Sequence, residues 1–246
     1  MRRLLCLIFA LLCCGHVWAE VAANVVFFTG QPTLTAADGK TRKLARGDEV
    51  RDGETIDTGD GRVQLRFRDG ATMSLQPATR FRVERFRFSG ADGSESDGVV
   101  MTLVKGALRT VTGLLGKRDR TQYKVGTTVA TIGIRGTEYG AVLDGSGLTV
   151  TTYVGVVEVC SQVGCVDVEA GRAVWVRAAN TKPELRDAGA MRSEINAGDV
   201  IPEAPIGGSA GVPSSATPSA PTTTTSPTFS PTSPSPTSSP RGSGKI

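Results

Sequence analysis

The chain is dominated by short runs in which apolar and polar residues alternate. The run 62–67 places its apolar side chains on one face and charged or amide side chains on the other. Alternation of period two is typical of a half-buried β-strand. Asp69-Gly70, a strong hairpin signal, follows this run, and the alternation resumes with Met73 and Leu75. The pattern predicts that the two runs pair as antiparallel strands.

The same alternation recurs along most of the chain between Gly, Asp and Asn residues. The further predicted strands are 81–88, 99–104, 107–111, 122–125, 139–143 and 148–154. Many short strands with turn signals between them indicate an all-β fold, with short antiparallel strands in a roll, a sandwich or a solenoid-like stack. Only the stretch 183–196 has apolar residues at helical spacing, and a short helix is predicted there after Pro183.

The two ends of the chain differ in composition from the middle. Arg2 and Arg3 precede the apolar run 4–14, and Val17-Trp18-Ala19 ends in the small residues that signal peptidase accepts, so residues 1–19 are predicted to be a secretory signal. The run is shorter than the ~20 apolar residues of a membrane span. We therefore expect no span after cleavage, and the alternative is an uncleaved anchor.

The C-terminal region contains mostly Pro, Ser, Thr and Gly, and almost nothing in it can be buried. Residues 202–246 are therefore predicted to be a disordered tail. The resulting organisation is a signal (1–19), an all-β domain (20–180), a linker with a possible short helix (181–201) and the tail.

Charge and histidine content narrow the possible functions. The net charge of +4 falls to 4 − 2 = +2 without Arg2 and Arg3, which gives no indication of nucleic-acid binding. His16, the one histidine of the chain, lies within the predicted signal. A mature chain without imidazole excludes Ser-His and Cys-His catalysis and any His-ligated metal site. No cofactor or metal is predicted.

Cys160 and Cys165 are the two cysteines that remain after removal of residues 1–19. They flank four residues between two strand-like runs, so they would face each other across a hairpin. In an oxidising compartment such a pair should form a disulfide. The alternative is a metal-binding or thiol-exchange pair, but the spacing is not Cys-x-x-Cys and no other soft ligand remains.

Asp57-Thr58-Gly59 resembles the catalytic loop of aspartic proteases. Such enzymes need two of these loops so that two carboxylates can share a proton. The chain has no second Asp-Thr-Gly, and the next residue, Asp60, adds another negative charge. A turn before the strand at Arg62 explains the segment without catalysis.

Arginines are dense in two neighbouring segments of the sequence. They are Arg62, Arg66, Arg68, Arg80, Arg82, Arg85 and Arg87. If adjacent strands carry them on one face, Arg66 and Arg82 belong to a cationic patch suited to carboxylates or phosphates. The alternative is a solvated sheet face whose arginine stems cover apolar surface. The alternation slips between Glu84 and Arg85, which predicts a bulge.

The segment 125–139 is the most distinctive of the chain. Gly133 and Gly136 bracket a short crossing in which a side chain would obstruct or φ must be positive, with Arg135 between them. The guanidinium of Arg135 is expected to bind backbone carbonyls of neighbouring strands or a carboxylate.

The sequence Ala-Thr-Ile-Gly-Ile-Arg-Gly-Thr, residues 130–137, closely resembles the signature of FecR-type domains. The resemblance continues upstream through Thr58-Gly59 and Asp69-Gly70 and downstream through 155–159 and Ala170-Gly171. It implies a periplasmic module with a binding or regulatory role. The ferric-citrate regulator after which the family is named has a cytosolic sigma-binding segment and a transmembrane helix before this module, where this chain has a predicted signal peptide.

The sequence therefore predicts an exported, non-enzymatic binding, regulatory or scaffolding module of the cell envelope. Its partner would be an envelope protein or an anionic ligand, and the candidate binding residues are Arg135, Thr137, Arg66 and Arg82. One alternative is a binder of an anionic glycan or carboxylate through the arginine-rich face. A more distant alternative is a hydrolase that uses acidic residues alone, which would need two carboxylates converging in a cleft.

Overall fold

The computed structural model describes residues 20–90, 92–118 and 120–188, in which fifteen strands form one hydrogen-bonded sheet. The predicted signal, the tail and most of the linker lie outside these residues. The first eight strands are β1 (Val21–Phe28), β2 (Thr33–Thr35), β3 (Thr41–Lys43), β4 (Glu49–Arg51), β5 (Thr55–Asp57), β6 (Val63–Phe67), β7 (Thr72–Leu75) and β8 (Arg80–Arg87). The others are β9 (Gly98–Val111), β10 (Tyr123–Gly126), β11 (Thr131–Asp144), β12 (Gly147–Ser161), β13 (Gly164–Glu169), β14 (Arg172–Val176) and β15 (Glu184–Asp187).

The all-β prediction is confirmed, and so is the hairpin of β6 and β7. Val63 lies opposite Leu75, and Leu65 lies opposite Met73. These four side chains are buried, because the alternation turns every second side chain of both strands towards the core. The predicted bulge is also present, since the register of β8 shifts between Val83 and Arg85.

Three long strands, β9, β11 and β12, pass through two layers of the sheet. In the first layer the order is β4-β1-β6-β7-β9-β11-β12-β14-β15. In the second layer it is β3-β2-β5-β8-β9-β10-β11-β12-β13. The inner faces of the two layers pack on each other, and the ring centroids of Phe67 and Phe86 are 5.9 Å apart across the core. The fold is therefore a sheet that folds over itself.

Strand β10 separates β9 from β11 in the second layer, whereas those two strands pair directly in the first. Because β10 runs parallel to β9, the chain must cross over between them. The crossover contains helix α1 (Leu114–Arg118) and a 3₁₀ turn (Arg120–Gln122). The sequence pattern did not predict the helix, and β9 with β10 is the one parallel pair among the described strands.

Asp69 fastens helix α1 to the β6–β7 hairpin. Its backbone carbonyl accepts a hydrogen bond from Leu114 N at 2.9 Å, and its carboxylate accepts from Leu115 N at 3.2 Å. The same carboxylate accepts from Ala71 N at 3.1 Å within the hairpin turn. Leu115 itself is fully buried in the core. One buried acidic side chain thus holds the crossover in place.

The helix predicted over 183–196 is wrong at its start, because Glu184–Asp187 is strand β15. It pairs antiparallel with β14, with Trp175 opposite Glu184 and Val174 opposite Leu185. The free edge of β14 supplies a full set of backbone hydrogen-bond partners, which outweighs a weak local tendency towards helix. The sheet therefore continues beyond residue 180, the predicted end of the domain, while 189–196 lie outside the described residues. Within the described ranges, no helix is long and apolar enough to cross a membrane.

Candidate functional site

Gly136 and Gly155 face each other where β11 and β12 pass from one layer to the other. Gly136 has φ +58° and Gly155 has φ +79°, a region that favours glycine. A Cβ on Gly155 would lie 2.7 Å from the carbonyl oxygen of Gly136. The predicted crossing at Gly136 is thus confirmed. Gly133 differs, since its φ is not in the positive region and a Cβ there would meet Glu158 only at an ordinary 3.7 Å.

Thr137 joins the bend of β11 to the end of β9. Its N–H donates to the hydroxyl of Thr112 at 2.9 Å, and its carbonyl accepts from Thr112 N at 3.0 Å and from the same hydroxyl at 2.9 Å. The side chain is 3% exposed, and its hydroxyl has no hydrogen-bond partner in the described part of the chain. Thr137 therefore shapes the bend from inside, and a partner bound at the surface would not reach its hydroxyl.

Arg135 points outwards at the same bend. Its backbone pairs in register with Val156. Its side chain is exposed and forms no hydrogen bond or ion pair with any residue of the described ranges. The expectation that its guanidinium binds carbonyls of neighbouring strands is wrong. Backbone carbonyls of a paired strand point along the sheet towards the next strand, while an outward side chain stands away from it.

Further exposed apolar and cationic side chains lie on the strands and the helix that meet at this bend. Val111 on β9 is 48% exposed, and Val154 on β12 is 55% exposed. The two valines lie on either side of Glu138 on β11, each directly opposite it in its strand pair. Lys117 on helix α1 is also exposed, and its Cγ would lie 3.6 Å from a Cβ on residue 136. We call Val111, Lys117, Arg135 and Val154 the bend surface. Sequence reasoning found only Arg135, because the other three come from different elements that the sheet brings together.

Glu138, which lies between Val111 and Val154, is already neutralised by an arginine. Arg109 donates to Glu138 through Nε at 3.0 Å and through Nη2 at 2.5 Å. Lys117 and Arg135 have no such carboxylate partner among the residues that the structure describes. The bend surface therefore carries two available positive charges beside two exposed valines.

Arg66 and Arg82 do not share a face. Arg66 lies on β6 in the first layer, between Asn24 and Thr72, and Arg82 lies on β8 in the second layer, opposite Thr102. Since the inner faces of the layers pack on each other, the outward side chains of β6 and β8 point away from each other. The condition for a common cationic patch, that adjacent strands carry Arg66 and Arg82 on one face, is therefore not met.

Several of these arginines also have acidic partners close by. Arg82 pairs with Glu84 at 2.8 Å, and Arg80 pairs with Asp57 at 2.8 Å. Arg87 forms an ion pair with Asp52. The β8 face is therefore largely charge-balanced, which fits the alternative of a solvated sheet face.

Asp57 is held in place by hydrogen bonds. Partial burial alone would raise the pKa of its carboxyl, but the N–H of Gly59 and the guanidinium of Arg80 together lower the pKa below its usual value. One carboxylate oxygen accepts from Gly59 N at 3.1 Å and the other from Arg80 at 2.8 and 3.0 Å. A carboxylate engaged in this way is suited to fixing the turn, and it lends no support to an acid-only hydrolase.

Cys160 and Cys165 form the predicted disulfide, with an S–S distance of 2.09 Å. They lie directly opposite each other on β12 and β13, which pair from Val156 to Ser161. The bond therefore fixes the register of the last hairpin of the second layer. Within the described ranges, no group of three His, Cys, Asp or Glu side chains is placed to hold a metal ion.

The family model described as FecR protein matches residues 54–158. Residues 54–158 of this chain are therefore similar to a FecR domain. The match includes the whole bend, from β9 through Arg135, Gly136 and Thr137 to Gly155, and it ends inside β12. Strands β1 to β4 and β13 to β15 lie outside the matched range, although they belong to the same sheet.

The similar solved structures match only part of this chain. Two crystal structures of a putative anti-sigma factor from Parabacteroides distasonis are 17% identical, cover 54% of this chain and 59% of their own, and have a TM-score of 0.43. A structure described as a cell surface anchoring domain is 27% identical over 25% of this chain and 82% of its own, with a TM-score of 0.24. The chain thus spans about three fifths of the anti-sigma factor structures. A search of curated proteins found no significant match.

Proposed function

We propose that this protein is an exported, non-enzymatic FecR-domain module that binds a protein partner of the bacterial cell envelope through the bend surface. The observation that carries the proposal is the side chain of Arg135, which is exposed without an acidic partner among the described residues. FecR-like regulators interact with other envelope proteins, and that role suits a regulatory or scaffolding module. Export is proposed from the signal-like pattern of residues 1–19.

The chemistry of the bend surface indicates the kind of partner. Exposed valines lose unfavourable contact with water when a partner covers them, and arginine is enriched at the centres of protein interfaces. Arg135 and Lys117 would attract a carboxylate and orient it beside Val111 and Val154. The expected partner segment therefore combines one or two acidic residues with apolar side chains.

The backbone around Arg135 is well suited to recognition. Gly136 and Gly155 fix the bend by close backbone approach, and Thr112 holds the backbone of Thr137 by three hydrogen bonds. Binding to a surface on a fixed backbone costs less ordering entropy than binding to a mobile loop. The long side chains of Arg135 and Lys117 are then the main groups that a partner must order.

The test is crosslinking of the mature protein in envelope extract, followed by purification and mass spectrometry of the captured proteins. Arg135→Glu should abolish capture of the specific partner, and Val154→Asp should weaken it. Arg85→Glu is the matched control, because Arg85 is also an exposed arginine, on β8, without an ion pair among the described residues. Equal capture by the parent, Arg135→Glu and Arg85→Glu proteins would refute the bend surface as the binding site.

A further inference from the structure

Trp175 carries two stacked arginines on the outer face of the first layer. The ζ-carbon of Arg177 lies 4.8 Å from the centroid of the indole ring, and that of Arg186 lies 4.2 Å from it. Arg177 directly follows β14, while Arg186 comes from β15, so the pairing of these strands assembles the group. We call Arg177, Trp175 and Arg186 the arginine–tryptophan stack.

Both guanidinium groups keep donors available to a ligand. A guanidinium that stacks on a ring uses its flat face, so its N–H groups remain at the edge of the group. Arg177 has no carboxylate partner in the part of the chain that the structure describes. Arg186 has only a long, exposed contact of 3.6 Å with Glu184. The stack therefore presents two guanidinium groups whose paired N–H donors match the oxygens of a carboxylate or a phosphate.

The guanidinium groups of Arg177 and Arg186 are close enough for one ligand to contact both. From the two ring distances, the guanidinium carbons lie within about 9 Å of each other. Neighbouring anionic groups of one polymer can therefore engage both guanidinium groups at the same time. Stacking on Trp175 restricts the arginine side chains before binding, so less entropy is lost on contact.

A second arginine–aromatic pair extends the same face. The ζ-carbon of Arg109 lies 4.4 Å from the ring centroid of Tyr153 on β12. Trp175 lies opposite Thr149, four residues from Tyr153, which is roughly 13 Å along the strand. Thr149 itself is half-buried and lies beside Trp175, at one end of this stretch. An extended ligand can therefore meet aromatic, hydroxyl and guanidinium groups in succession.

From this arrangement we propose that the arginine–tryptophan stack binds an anionic glycan, a sugar polymer that carries carboxylate or phosphate groups. Sugar units offer hydroxyls to Thr149 and carry acidic groups to the guanidinium forks. A formal charge of only +2 after removal of residues 1–19 does not favour nucleic acid, whose affinity comes mainly from many phosphate contacts. The arginine–tryptophan stack shares no residue with the bend surface, and the two proposals can fail independently.

The test is titration of the mature chain at low salt with two defined polymers. Polygalacturonate supplies carboxylates and phosphomannan supplies phosphates, and neutral dextran is the blank. Arg177→Gln and Arg186→Gln should each weaken binding, and Trp175→Leu should weaken it by about fivefold or more without any change of charge. Trp175→Phe, which keeps a ring, should retain most of the affinity. The stronger of the two polymers identifies the acidic group, and equal affinity supports recognition of oxyanions in general.

The matched control is Arg172→Gln. Arg172 lies on the same strand as Trp175 and pairs with Asp187 at 3.4 Å, so its removal changes the charge equally without touching the stack. Its affinity should stay within about twofold of the parent. If Arg172→Gln weakens binding as much as Arg177→Gln, or if Trp175→Leu binds like the parent while melting normally, the proposal is overturned in favour of general charge attraction. Failure of both polymers to bind, or tighter binding of a single-stranded oligonucleotide, would also overturn it.

Discussion

Replacement of Gly155 by alanine tests the close backbone approach at the bend. A Cβ on this residue would lie 2.7 Å from the carbonyl oxygen of Gly136, 2.9 Å from Cγ2 of Thr137 and 3.2 Å from the carbonyl oxygen of Arg135. Two of these neighbours are backbone atoms that cannot turn aside. Either the bend opens or the side chain remains in a clash, and both outcomes destabilise the folded state.

The control for this change is Gly171→Ala. Gly171 has φ +82°, almost the same as the +79° of Gly155, but a Cβ there would meet nothing within 4 Å. Both substitutions lose about 1–2 kcal/mol from the left-handed backbone conformation, and both regain part of it because alanine restricts the unfolded chain. Only Gly155→Ala adds the cost of overpacking, which is about 1–3 kcal/mol.

The difference between the two variants therefore isolates the steric cost of the bend. Urea unfolding should show Gly155→Ala to be less stable than Gly171→Ala by about 1–3 kcal/mol. For a domain of this size, the melting temperature should differ by roughly 2–12 °C. Equal stability of the two variants would mean that the chain does not approach itself closely at Gly155, and the argument for a fixed bend would fail.

Three further results are expected. Replacing Cys160 and Cys165 by serine should cost at most ~2–3 kcal/mol and leave the fold intact, because the closed loop is short; two free thiols in non-reduced peptides of the exported protein would contradict the bond. Arg135→Lys should leave thermal unfolding unchanged, since the side chain is exposed; a clear loss of stability would indicate a hidden partner. Burial raises the pKa of Asp69, so the folded chain holds this proton more tightly than the unfolded chain does. The stability of the parent relative to Asp69→Asn should therefore rise as the pH falls from about 7 to about 4, and a constant difference in urea unfolding would refute this.

The two proposed surfaces lie on different parts of one sheet. The bend surface belongs to the segment that matches the FecR family model, whereas β14 and β15 of the arginine–tryptophan stack lie beyond residue 158. A protein partner and a glycan could therefore be bound by different regions of the same fold. Variants at Arg135 and at Trp175 separate the two activities, because neither residue contacts the other site.

Alternation in the sequence was enough to predict the strands from β6 to β12 and to show which of their side chains face the core. Alternation of period two marks both faces of a strand, so the burial of Val63 and Leu65 follows from the pattern alone. The hairpin of β6 and β7 and the disulfide of Cys160 with Cys165 were also predictable. Their partners are near in sequence, and a short turn leaves few other ways to pair.

The pairing of distant strands and the contacts of each outward side chain could not be predicted from the sequence, because both depend on how the sheet folds. Alternation says nothing of the partner strand, so Arg66 and Arg82 fit a shared face in the sequence but lie on different layers in the fold. The weak helical tendency of 184–187 gave way to pairing with β14, because an open sheet edge offers backbone partners that a short isolated helix lacks. Arg135 was found from the sequence, but its exposure follows from the bend, and the arginines that stack on Trp175 meet only because β14 and β15 pair.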